Sequence, residues 1–160
     1  MKILFLAYGN IDRQDDGVGW HLLCEVMRRL NCPPPEGPDD EMPKNYGEFT
    51  FDYHLQLTPE LAESLGEYGK ICFMDAHTGN VPEEINIEKL TPRYQTSPFT
   101  HHMTAATLLS LSEVINHCAP ESILVSVRGY EFLFTRSLST STASLIPLAA
   151  DKIVEWVHMK

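Results

Sequence analysis

The chain has 160 residues, enough to bury a sizeable core, and at 43% hydrophobic and 21% charged it has an ordinary globular composition. Its formal net charge of −10, with no basic cluster, argues against a nucleic-acid surface and against binding to an anionic membrane. No apolar stretch approaches the roughly 20 residues of a membrane span. Cys24, Cys32, Cys72 and Cys118 are scattered without a Cys-x-x-Cys pair, so reduced thiols in a cytoplasmic protein are expected.

Residues Lys2 to Tyr8 form an apolar run with β-branched and aromatic members, too short for a signal-peptide core and stopped by Gly9 and Asn10. This pattern predicts a buried parallel strand. The polar loop after it carries Asp15 and Asp16 to the strand's carboxyl end, the edge at which open α/β sheets bind ligands. A helix is predicted from about Gly17 to Leu30, with Val18, Leu22, Val26 and Leu30 along one face and one of the two acids as its cap. Pro33 to Glu48 contains five acids and one lysine, net −4, and is expected to be an extended surface loop. A second strand is predicted over Glu48 to Leu55. Thr58 and Pro59 then start a helix running to about Glu67. The third strand, Lys70 to Met74, ends at Asp75, with Cys72 packed in the core.

In the second half a short strand is expected at Asn86 to Leu90, after a turn at Gly79 to Pro82. A helix follows from about Thr104 to His117, then a strand from Ser122 to Val127 and a loop from Arg128 to Arg136. The last helix starts near Ser139 or Thr142, ends near His158, and is kinked or split by Pro147. This alternation predicts one domain over residues 1–160. Its expected architecture is a three-layer α/β/α sandwich with a mostly parallel, twisted sheet of about five strands.

Three positions stand out for chemistry. Asp16 follows the first strand, Asp75 ends the third, and His101 precedes the third helix. The topology brings all three to one edge, and two carboxylates with one imidazole suit a divalent transition metal with open positions. Each also has a plainer reading: a helix cap for Asp15 or Asp16, loop hydrogen bonding for Asp75, an exposed polar pair for His101 and His102. His54 and His77 also lie at strand ends near this edge. Gly17-Val18-Gly19 is not a dinucleotide fingerprint, since the first glycine is missing and acids precede it. Neither Gly-x-Ser-x-Gly nor His-Glu-x-x-His is present.

Taken together, these residues resemble the maturation endopeptidases of nickel–iron hydrogenases. Ile3-Leu4-Phe5-Leu6, Gly9-Asn10 and Asp15-Asp16-Gly17-Val18-Gly19 are similar to that family's first strand and acidic loop. Thr58-Pro59-Glu60-Leu61-Ala62 resembles the start of its second helix, and Phe73-Met74-Asp75-Ala76 its strand-ending Asp-Ala. Thr100-His101-His102-Met103 resembles its histidine before an apolar-faced helix, and Leu138-Ser139 the entry to its last helix. Order and gaps agree over nearly the full length. One departure is Asp52-Tyr53-His54-Leu55-Gln56, where many members carry a glycine-rich turn. It suggests a subgroup with its own partner, and makes His54 a candidate to reach the site, against a plain exposed strand end.

The resemblance implies an endopeptidase that removes the C-terminal extension of a nickel–iron hydrogenase large-subunit precursor after nickel insertion. It places metal contact on Asp16, Asp75 and His101, with the nickel held by the substrate. Asp16 and Asp75 are then the carboxylates available for catalysis. The metal could polarise the scissile carbonyl or activate a water, or it could anchor the substrate while a carboxylate acts as base. The alternative is a chaperone or binding module that holds the same precursor without cutting it.

Overall fold

The computed structural model describes residues 1–94 and 103–160. Among them a six-stranded sheet runs in the order β2-β3-β1-β4-β6-β5. Its strands are β1 (Ile3–Tyr8), β2 (Lys44–Tyr46), β3 (Phe49–His54), β4 (Lys70–His77), β5 (Ile85–Leu90) and β6 (Glu121–Arg128). The inner four, β3, β1, β4 and β6, are parallel, and the edge strands β2 and β5 are antiparallel. Helices α1 (Val18–Arg29) and α5 (Ile146–His158) pack on one face, and α2 (Ala62–Leu65) and α3 (Ala105–Asn116) on the other. The three-layer sandwich is as expected, with one strand more than the five read from the sequence. The extra strand, β2, has three residues and no apolar alternation to announce it, and lies in what the sequence suggested was only loop.

Strand parity sorts the core. Ile3, Phe5, Ala7, Cys72 and Met74 face α1 and α5, whereas Leu4, Leu6, Ile71 and Phe73 face α2 and α3. Parallel strands covered on both faces bury every position, which explains why β1 reads as an unbroken apolar run. Cys72 is fully buried, as its place in that pattern suggests.

Several element ends differ from expectation. β4 continues through Asp75 to His77, because β6 pairs with it to the end, His77 opposite Arg128. Thr58 is extended but its side chain makes no cap, and its hydroxyl bonds to the Glu60 carboxylate instead. A 3-10 turn, Pro59–Leu61, thus precedes a single turn of α2. Pro147 does split the last helical stretch: α4 (Thr140–Ala143) is capped by Ser139, and α5 takes the proline in its first turn. Thr104 caps α3 by accepting from the Thr107 amide.

Lys70 is buried at the opposite edge of the sheet. Its Nζ donates to the carbonyls of Trp156 at 3.3 Å and Met159 at 2.8 Å, and lies 5.0 Å from the Trp156 ring centroid. The Lys70 ammonium thus adds a second donor to the Trp156 carbonyl, which already accepts the Met159 amide at 3.2 Å, and supplies one to the Met159 carbonyl just past the end of α5. No described helix is long and apolar enough to cross a membrane.

Candidate functional site

The site follows from the sheet order. From β1 the chain crosses through α1 to β3 on one side, then returns through α2 to β4 on the other. The two helices lie on opposite faces, so a crevice opens beyond the carboxyl ends of β1 and β4, at the topological switch point. A cavity of about 720 Å³ occupies this edge, within the range of binding clefts. Asp16 and Asp75 both line it. Leu57, Leu90, Met103 and Phe132 supply apolar wall, and Arg13 and Glu88 add one charge of each sign.

Two glycines allow the close approach. Gly9 ends β1 with φ +139°, and a Cβ on it would meet the Asp16 carbonyl oxygen at 2.2 Å. A Cβ on Gly19 would come within 2.9 Å of the Met74 carbonyl oxygen, so this glycine lets α1 start directly against β1 and β4. The Asp16 carboxylate accepts the Asn10 amide at 2.8 Å, which closes the loop on itself beside the cavity.

Asp75 reaches the same cavity by parity. Ala7 is in register with Met74, so Tyr8 and Asp75 follow side by side on the next pleat. The Tyr8 hydroxyl donates to the Asp75 carboxylate, and the Ala76 amide donates to it at 2.7 Å. Burial raises the Asp75 pKa and the neighbouring Asp16 charge raises it further, while the Ala76 and Tyr8 hydrogen bonds oppose them. The result is about 7. Burial and the adjacent Asp75 likewise push the Tyr8 phenol well above its ordinary range. Tyr8, Arg13 and Glu88 were not singled out from the sequence. The period-2 pattern of β1 carried the signal for Tyr8, which shares a face with Leu4 and Leu6.

Asp15 departs from the expected role. Neither it nor Asp16 caps α1, whose N-cap residue Gly17 makes no side-chain cap. Asp15 is fully buried. Its Oδ1 accepts from the Ser139 amide at 2.8 Å, and its Oδ2 from the amides of Tyr130 at 2.8 Å and Glu131 at 2.9 Å. The Ser139 hydroxyl donates to Oδ2 at 2.6 Å, and the Thr142 hydroxyl shares its proton between Oδ2 and the Arg128 carbonyl. Burial alone would raise this pKa. The hydrogen bonds from Ser139, Glu131 and Tyr130 outweigh it and bring the pKa down to about 2. The residue therefore holds the segment from β6 to α4, including the cavity wall at Phe132.

The histidines divide. His101, the third proposed ligand, and His102 lie outside the described residues. Met103, just after them, is partly buried against the α2/α3 core and lines the cavity. His54 pairs with Asp52, Nε2 to Oδ2 at 2.8 Å, which raises its pKa, and it does not line the cavity. His77 has both ring nitrogens engaged, Nδ1 with the Ser126 hydroxyl and Nε2 with the Glu83 carbonyl, each at 2.8 Å. Among the described residues no group of three His, Cys, Asp or Glu side chains could hold a metal. The cavity is lined by three carboxylates, Asp16, Asp75 and Glu88, which do not gather into such a group.

No protein-family model and no curated protein sequence matches the chain. Solved structures do. The hydrogenase maturating endopeptidase HybD from E. coli superposes with a TM-score of 0.72 at 17% identity, over 98% of this chain and 92% of that one. A [NiFe] hydrogenase maturation protease, HycI from Thermococcus kodakarensis KOD1, gives 0.62 at 16%, over 98% and 89%. The hydrogenase 2 maturation peptidase from Thaumarchaeota archaeon SCGC_AB-539-E09 gives 0.62 at 19%, over 100% of both chains. At these identities the likeness is one of fold, carried across the whole chain.

Proposed function

We propose that this chain is an endopeptidase that removes the C-terminal extension of a nickel–iron hydrogenase large-subunit precursor once nickel is in place. The observation that carries the reading is the convergence of Asp16 and Asp75 on one cavity at the switch point of this fold. The nickel is the substrate's own. Two carboxylates are too few to bind a free divalent ion tightly, but they complete a shell that the precursor has partly filled, with His101 as the third ligand. Asp75 fits that role electrostatically. Burial and the Asp16 charge disfavour its ionisation, and a docked cation relieves both.

Docking against Asp16 and Asp75 sets the scissile peptide beside the ion, between apolar walls formed by Leu57, Met103 and Phe132. The ion would supply Lewis-acid polarisation of the carbonyl or of a water. In the other mode the ion anchors the substrate and whichever of Asp16 and Asp75 it leaves free serves as the base. Cytoplasmic location and the absence of a nucleic-acid partner follow from the same reading.

The test combines purified protein with cognate precursor, nickel-loaded and nickel-free, and follows intact mass. Cleavage of the loaded precursor alone is expected. Equal cutting of both forms refutes nickel recognition, and stable binding of both without cutting supports the chaperone alternative.

A further inference from the structure

The segment between β6 and α4 does more than wall the cavity. Phe132 lines it, and the next two side chains turn outward: Leu133 is 66% and Phe134 89% exposed. Leu55, on the opposite lining, is 63% exposed. Single exposed apolar residues are ordinary. Here two large adjacent ones stand on backbone that cannot turn them inward. Asp15 holds the amides of Tyr130 and Glu131, the Gln14 side chain accepts the Leu133 amide at 3.1 Å, and the Gln14 amide donates to the Thr135 carbonyl at 2.9 Å.

Resting on the proposed function, we infer that Leu133 and Phe134 form a docking surface for the folded body of the precursor whose terminal segment enters the cavity. Two features favour that occupant. The apolar surface is continuous with the cavity wall through Phe132, so a protein feeding its terminus inward must lie against it. A second copy of this chain seated there would stand over the mouth and exclude a protein substrate. Rigid presentation also lowers the ordering cost of association.

The experiment compares wild type, the double variant Leu133→Ser/Phe134→Ser, and Leu148→Ser. The last makes the same chemical change at an exposed position on α5, which packs on the other face of the sheet. Binding of nickel-loaded precursor and the KM and kcat of its cleavage are measured, with the unfolding midpoint as a check on folding. The double variant should raise Kd and KM at least about tenfold, as loss of interface anchors does, and leave kcat near wild type. Leu148→Ser should change neither. A double variant that binds and cuts like wild type overturns the proposal, as does an equal effect of Leu148→Ser. Wild-type self-association that the double variant abolishes, with precursor binding unchanged, assigns the surface to a second copy and also overturns it. Wild type that neither binds nor cuts removes the functional reading and this inference with it.

Discussion

Replacing Asp15 by Asn is the sharpest test of how the site is held. An asparagine has the same shape but one acceptor oxygen, and its amide nitrogen only donates. With that oxygen in the Oδ2 position it still accepts from the Tyr130 and Glu131 amides, but its NH₂ group then faces the Ser139 amide, now 2.8 Å from Oδ1. The reverse orientation sets the NH₂ against two amides instead of one. In the better case the Ser139 N–H loses its acceptor and the new NH₂ group faces it without one, costing about 1–3 kcal/mol. The remaining bonds lose their charge assistance, roughly another 2 kcal/mol together. The total is about 3–5 kcal/mol, which in a domain of this size lowers the thermal midpoint by about 10 °C. Thermal unfolding measures the total, and amide exchange at Tyr130, Glu131 and Ser139 locates it. A midpoint within about 3 °C of wild type, or unchanged protection at those amides, would refute the reasoning. The acid limb adds a signature. The folded pKa of about 2 lies below the ordinary 3.8 of an aspartate, so the wild-type advantage is present above about pH 4. It is lost as pH falls from there through about 2, because the unfolded chain takes up the proton first.

Asp75 behaves in the opposite sense. Its folded pKa of about 7 exceeds its ordinary 3.8, so ionisation destabilises the fold progressively from about pH 4 to 7. Asp75→Asn should therefore be more stable than wild type at pH 8, on the order of 2 kcal/mol in urea unfolding, while failing to process precursor. A less stable variant at pH 8 contradicts the burial argument. Lys70→Met should take the Lys70 donor from the Met159 carbonyl and leave the Trp156 carbonyl only its Met159 amide, costing about 1 kcal/mol, read as a lower thermal midpoint with fraying of α5 in amide exchange. His101→Ala should abolish processing in the precursor assay and His102→Ala should cost much less. Equal losses would reject His101 as the ligand.

Much of the fold was legible because its signals are local. The unbroken apolar run before Gly9 required a strand covered on both faces, and Pro147 required a break, since it can donate no amide in a helix interior. Asp16 and Asp75 could be placed at one edge because each follows or ends a parallel strand, and parallel strands in a crossover fold align their carboxyl ends. His54 was the weaker guess. Asp52 lies two residues away on the same strand face and takes its Nε2, a pairing that strand parity permits but does not require.

The roles of the neighbouring acids were beyond the sequence. Asp15 and Asp16 are adjacent and chemically alike, and a helix follows both, so local reasoning offered each the same cap. The partners that separate them arrive from Tyr130, Glu131, Ser139 and Thr142, more than a hundred residues away. Their amides and hydroxyls need a buried anion, and in the 3-10 turn at Gln14–Gly17 the Asp15 side chain meets them while Asp16 faces the cavity. Sequence by itself determined the layers, the order of the main strands and helices and the edge where the acids collect, because periodicity and chain direction are properties of short segments. Tertiary structure alone decided which acid holds the scaffold and which faces the cavity. A carboxylate's ionisation and partners depend on what is packed around it, and that packing exists only once distant segments meet.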